Sequence, residues 1–241
     1  MTILTHASDL SWRGWGWCAG SEVGPFAVGH VAPDDREWRW IALRDYLDGP
    51  FAASVVDLQL RRGAHDPPVR IVIEEPPAVY SGASRGGAPG RPTGNQTKIG
   101  YGLGTISGAV QLWSAQRGDE LGYPWLVEPM VWRSWWNIGG KGRMEKKRRA
   151  VELVRLMGWG KLLEPYPWDP DPEAAGGAQG DVAEAICLQV GSARHIAGAP
   201  AGPARAVAPL VDTSRRPPSV PRPKKPKAST PIPPKNQPLY R

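Results

Sequence analysis

Four carboxylates stand where chemistry is possible. Asp9 closes an apolar-patterned segment, Thr2 to Leu10, just ahead of the polar turn Ser11-Trp12-Arg13-Gly14, and Glu74 closes the β-branched run VRIVIE at residues 69 to 74. Asp181 and Glu184 lie three residues apart in a helix-patterned segment, so both point to one side of it. A carboxylate at the end of a buried strand is costly unless a partner compensates it, and a divalent cation is one such partner. Hard cations take oxygen ligands, and Mg²⁺ favours one or two carboxylates together with water and substrate phosphate. Two such ions about 3.5–4 Å apart would activate a water and stabilise the leaving oxygen of a phosphodiester. Taken singly, each acid has a plainer reading: Asp9 as a turn-forming residue, Asp181 and Glu184 as a solvated helix face or acids favoured by the helix dipole. Glu75 falls on the opposite strand face from Glu74 and is read as structural.

The elements that must position these acids follow from hydrophobic spacing. Thr2 to Leu10 and Gly24 to Val31 read as strands, with Trp12 to Ala19 their hairpin partner. Residues 35 to 62 have helical spacing through Trp38, Ile41, Tyr46, Phe51, Val55 and Leu58, with a break expected at Gly49-Pro50. Val69 to Glu74 reads as a buried strand between two Pro-Pro pairs. Ile99, Leu103, Ile106, Val110 and Trp113 share one helical face, and the interleaved glycines predict close approach of that helix to a sheet. Trp125 to Trp132 reads as a further strand, and Met144 to Leu156 and Asp181 to Ala193 as helices. This order favours an α/β fold with helices packed on a mixed central sheet.

Composition narrows the setting. The 241 residues carry a net charge of +7, but residues 196 to 241 hold nine Lys/Arg and one acid, so residues 1 to 195 carry 7 − 8 = −1. A protein that coats polyanions through uniform basicity is thereby excluded. All twelve tryptophans precede residue 169 and twelve of the 27 prolines follow residue 195. The division predicts one domain over 1–195 and a Pro-rich, basic, disordered tail over 196–241. Residues 76 to 97, rich in Gly and Pro, read as a long loop. Cys18 and Cys187 lack partners at metal-ligand spacing, and no segment has the pattern of a signal peptide or membrane span, so a soluble, intracellular, cytoplasmic protein is expected.

Within the near-neutral core, residues 133 to 149 hold Arg133, Lys141, Arg143, Lys146, Lys147, Arg148 and Arg149 against Glu145 alone. This local patch has the makings of a phosphate-contacting surface, its alternative being a solvated helix face. Trp132, Trp135 and Trp136 are able to stack on bases or to pack beneath the sheet, and packing suits Trp132 better. Arg85 and Arg91 in the long loop are candidate branch-point contacts. His6, His30 and His195 are assigned no chemical role.

Several stretches resemble, in order, those of RuvC-like Holliday junction resolvases, particularly their divergent phage-type members. ASDLSWRGWGW with GPFAVGHV is similar to their opening hairpin, VRIVIEEP to their second acidic strand, VEPMVWRSWWNIGGKGRMEKKRRAVELV to their basic strand, turn and Lys-bearing helix, and GDVAEAICLQ to their last helix. The resemblance spans residues 2 to 195. It implies an RNase H-like fold and a homodimeric, metal-dependent endonuclease of recombination and repair acting on branched DNA. Asp9, Glu74, Asp181 and Glu184 would ligate Mg²⁺, with Mn²⁺ able to substitute, and Lys146 would stand near the scissile phosphate. The chain departs from the family in its Trp-rich turn after Asp9, its long loop after Glu74, and Glu184 where many relatives carry Asp. The same chemistry on flaps, forks or RNA–DNA hybrids, and a non-catalytic DNA-binding accessory, are alternatives. An actin-like kinase would need a second phosphate-binding hairpin that is missing, and Gly100 to Gly104 lacks the preceding strand of a dinucleotide site.

Overall fold

A computed structural model describes residues 1–9, 14–32, 39–75, 104, 107–116, 121, 124–140, 142–171 and 176–199. Five strands form one open sheet: β1 (Leu4–Asp9), β2 (Trp15–Ser21), β3 (Pro25–Val31), β4 (Arg70–Glu74) and β5 (Trp125–Val127). Their spatial order is β3-β2-β1-β4-β5. The first three strands are antiparallel neighbours, and β4 and β5 run parallel to β1 and to each other. The fold is therefore α/β with a mixed sheet, as the segment pattern predicts.

Helices cover both faces. On one side lie α1 (Arg39–Tyr46), α2 (Ala52–Arg61) and α3 (107–116), packing Tyr46, Phe51, Val55, Leu58 and Val110 against Leu4, Trp15, Ile71 and Ile73. On the other lie α4 (Pro129–Trp135), α5 (Arg143–Leu156) and α6 (Gly177–Ile196), which enclose Ala7, Cys18, Val72 and Val127. Two covered faces explain why all six residues of β1 are buried, whatever their polarity. Helix α6 is buried continuously from Gln179 to Ala193, with β1 and β2 on one flank and α5 on the other. Two acids in its first half are consequently buried acids.

Four expectations are corrected. Gly49-Pro50 does not break the helical path: residues Leu47–Phe51 form a π-helical turn between α1 and α2, in which the wider hydrogen bonding accommodates a residue without an N–H. The strand expected over 125–132 ends at Val127, because Pro129 takes the first-turn position of α4, where its fixed φ and missing donor are harmless. Gly104 and Gly108 do not serve close packing, since a Cβ at either would meet nothing within 4 Å. The close approaches are made by glycines on β2 instead, as described below. The C-terminal helix extends to Ile196, one residue into the segment expected to be tail.

Residues 200 to 241, the loop over 76–97 with Arg85 and Arg91, Lys141, and Ile99, Leu103 and Ile106 lie outside the described residues. Among the described residues, no helix is long and apolar enough to cross a membrane.

Candidate metal centre

Strand register places the first two acids side by side. In the parallel β1–β4 pair Ser8 stands opposite Ile73, so the next residues of each strand are Asp9 and Glu74. Alternation sends both side chains to the face covered by α6, since Ala7 and Val72, two residues earlier, belong to that core. Across the other edge of β1, Asp9 pairs with Gly16, and Gly16 pairs with His30. Glu74, Asp9, Gly16 and His30 thus form one row across four strands. The glycine in that row sets the depth of the site. A Cβ on Gly16 would lie 2.3 Å from the Asp181 carbonyl oxygen, so only a residue without one lets this turn of α6 rest on the sheet.

That contact lowers Asp181 and Glu184 onto the row. Asp9, Asp181 and Glu184 each offer one carboxylate oxygen within 4.8 Å of the other two, and together they are able to bind a metal ion. Divalent cations with oxygen ligands at about 2.0–2.6 Å span such a cluster after small side-chain rotations. Glu74 stands beside the trio but outside it. Its Oε2 accepts a hydrogen bond from the Trp132 indole N–H at 2.8 Å and lies 3.8 Å from Arg133.

Three basic side chains face these acids. Arg133 donates two hydrogen bonds to Glu184 Oε1, at 2.7 and 3.3 Å, and its guanidinium lies over the Trp132 ring at 4.7 Å. Lys147, only 1% exposed, donates to Asp181 Oδ1 and stands 3.8 Å from Glu184 Oε2. His30 Nε2 donates to Asp181 Oδ2 at 3.0 Å. Asp9 is 7% exposed and has no hydrogen-bond or ion-pair partner among the described residues.

The electrostatics follow this partition. Burial first, then the charges of Glu74 and Glu184, raise the Asp9 carboxyl well above the ordinary aspartate range. Burial also dominates at Glu74 and, with Glu184, outweighs Arg133 and the Trp132 hydrogen bond, leaving it at about 7. Burial acts upward at Asp181 too, but the His30 hydrogen bond and Lys147 overcome it and hold that carboxyl below its usual value. Arg133 is shifted upward despite burial by Glu184, Glu74 and Asp9.

The basic patch read from the sequence divides accordingly. Lys147 and Arg133 point into the acids and not out to a polyanion. Lys147 does so because it continues the inward stripe of α5 through Ala150, Val151 and Val154. Lys146, expected near the chemistry, is its half-buried neighbour, and the lysine among the acids is Lys147. Arg149 pairs with Glu145 at 2.8 Å, while Arg143 and Arg148 are exposed. Sequence reasoning missed His30 and the Trp132 indole as partners of the acids. The cross-strand register that aligns His30 with Asp9 through Gly16 is the signal that finds it.

Neither a family model nor a curated protein matches this sequence.

Proposed function

We propose that this chain is a Mg²⁺-dependent endonuclease of the RNase H-like class that cuts phosphodiesters in branched DNA, acting as a homodimer. The observation that carries the reading is the meeting of Asp9, Asp181 and Glu184 with Glu74 beside them, on a sheet ordered β3-β2-β1-β4-β5. The donor set fits a divalent ion. Once all four carboxylates are ionised, as ion binding would require, they face two permanent cations, Arg133 and Lys147, leaving −4 + 2 = −2, the charge that one divalent ion neutralises. All the donors are oxygens, which suits Mg²⁺ or Mn²⁺ over softer metals.

Asp9, Asp181 and Glu184 would hold the ion, and Glu74 would join them at a second position. Bound there, divalent ions supply Lewis-acid activation of a water and stabilisation of the leaving oxygen. The chain's own residues do the rest. His30 and Lys147 hold the Asp181 carboxylate ionised and fix its orientation. The Trp132 indole N–H and the Arg133 guanidinium hold Glu74 and Glu184. Arg143 and Arg148, exposed on α5, and half-buried Lys146 on the same helix offer positive charge to flanking phosphates. Lys141, Arg85 and Arg91 remain candidate DNA contacts by sequence alone.

Nicking of a synthetic four-way junction in Mg²⁺ tests the reading. The wild type is expected to cut, and Asp9→Asn and Glu74→Gln each to lose about 10²–10³-fold in rate, the scale of removing a charge-stabilising group, while still binding the junction. Flaps, forks and RNA–DNA hybrids compared at the same salt rank the substrates. Full activity in both variants would reject the site. A second reading takes the cluster as a structural ion-pair network, favoured by the Arg133–Glu184 and Lys147–Asp181 pairs. It predicts DNA binding with no metal-dependent product, and it leaves the buried Asp9, unpaired among the described residues, without a purpose.

A further inference from the structure

The two cations in the acid cluster differ in freedom. The Lys147 side chain is 1% exposed and locked between α5 and α6, whereas the Arg133 side chain is 19% exposed and is the more solvent-accessible of the two. Arg133 also has a double grip. Its two donors hold Glu184 Oε1, and its guanidinium lies 3.8 Å from Glu74 Oε2, which the Trp132 indole holds at 2.8 Å. Glu74 is thereby kept out of the three-oxygen set formed by Asp9, Asp181 and Glu184. Asp9, more than nine-tenths buried, unpartnered among the described residues and aimed into that set, is the acid that a first ion would compensate.

Charge arithmetic separates two states. With all four acids ionised and Arg133 in place the cluster carries −2 and one divalent ion neutralises it. With Arg133 withdrawn the cluster carries −3. Two divalent ions then leave +1, which a single phosphodiester cancels. An arginine fork matches phosphate as well as carboxylate geometry, so an arriving backbone phosphate is a natural competitor for this guanidinium.

We infer that Arg133 is a positioning residue that gates the second ion site: it pins Glu74 and Glu184 so that the protein alone takes one divalent ion, and its transfer to a DNA phosphate frees Glu74 to complete the second. The inference rests on the metal-site reading above and adds the order in which the site is assembled.

Mn²⁺ titrated into the full-length protein without nucleic acid, with free Mn²⁺ counted by electron paramagnetic resonance, decides it. The wild type is expected to bind one ion per chain, and Arg133→Gln two, the second gaining at least about tenfold in affinity over the wild type. Two ions on the wild type, or one or none on Arg133→Gln while the wild type binds one, would overturn the gate and leave the metal site standing. No ion on either protein would overturn the metal site itself and the gate with it. If circular dichroism shows that Arg133→Gln does not fold, Arg133→Met takes its place. Methionine keeps much of the side-chain packing but removes both the charge and the fork that grips Glu184, so a second ion is expected there too, and a single ion overturns the gate.

Discussion

Strand β1 carries two buried polar clusters, one on each face, and they close in different ways. On the α1–α2 face the hydrogen bonds form a complete chain. Ser54 Oγ donates to the Phe51 carbonyl at 2.9 Å, which leaves it to accept from His6 Nδ1–H at 2.7 Å. Tyr46 then donates to His6 Nε2 at 2.8 Å and accepts from Ser8 at 2.7 Å. No charge is needed, and burial takes the His6 imidazole down to about 3. On the α6 face, one residue past Ser8, acids outnumber cations and Asp9 has no partner among the described residues. The first cluster is satisfied by the protein alone and contributes rigidity behind the strand. The second keeps an excess of buried acid that a divalent ion could neutralise.

The comparison is broken most directly by removing one member from each side. Lys147→Met leaves Asp181 and Glu184 without their buried ammonium, and uncompensated buried charge costs about 3–5 kcal/mol. Tyr46→Phe strips a donor from His6 and an acceptor from Ser8, with an expected loss of roughly 1–3 kcal/mol. The informative measurement is urea unfolding of both variants with and without millimolar Mg²⁺. The ion is expected to recover a large part of the Lys147→Met loss and none of the Tyr46→Phe loss. Equal recovery, or none in either, would mean that the two clusters are alike.

Acidity sharpens the contrast because His6 and Glu74, one from each cluster, are shifted in opposite directions. His6 falls from an ordinary 6.5 to about 3 on folding, so between those values the unfolded chain binds the extra proton and stability rises with pH. Glu74 rises from 4.5 to about 7, so between those values the folded chain binds the extra proton and stability falls as pH rises. Over pH 4.5 to 6.5 the two oppose each other, each by at most about 1.4 kcal/mol per pH unit. Relative to the wild type, His6→Gln is expected to make the slope of melting temperature against pH more negative, and Glu74→Gln more positive. Saturating Mg²⁺ is expected to leave the His6 contribution unchanged. A His6→Gln profile parallel to the wild type would remove the imidazole from the account.

The acids were legible in the sequence because strand ends and a three-residue helical spacing are local signals. Asp9, Glu74, Asp181 and Glu184 each close or interrupt an apolar pattern, and apolar pattern decides which face is buried. The inward stripe of α5 was equally legible, since Ala150, Val151 and Val154 step back to position 147. The family resemblance implies Lys146 near the scissile phosphate, whereas the inward stripe selects Lys147. Gly16 and His30 were not legible. Their importance depends on which residues pair across β1, β2 and β3, and a one-residue change of register would turn His30 to the opposite face. The short reach of β5 is not legible in the apolar pattern, because tryptophans at 125 and 132 suit a strand and a helix alike, and Pro129 decides between them.

The smallest expected effect isolates a single hydrogen bond at the boundary between satisfied and unsatisfied groups. Trp132 is fully buried, and its indole N–H is the hydrogen-bond donor to Glu74 Oε2. Trp132→Phe keeps much of the aromatic packing and the ring beneath Arg133, but leaves Glu74 with only the guanidinium at 3.8 Å. The net cost of one such bond is about 0.5–1.5 kcal/mol. Because the indole favours the ionised carboxylate, its loss is expected to move the Glu74 midpoint above about 7, and carbonyl-labelled nuclear magnetic resonance of Glu74 reads that shift. A matched Trp136→Phe substitution loses a bond to the Cys187 carbonyl and not to an acid, so it is expected to cost similar stability without moving Glu74. If both variants shift Glu74 equally, packing around α4 sets its acidity, and the indole hydrogen bond does not.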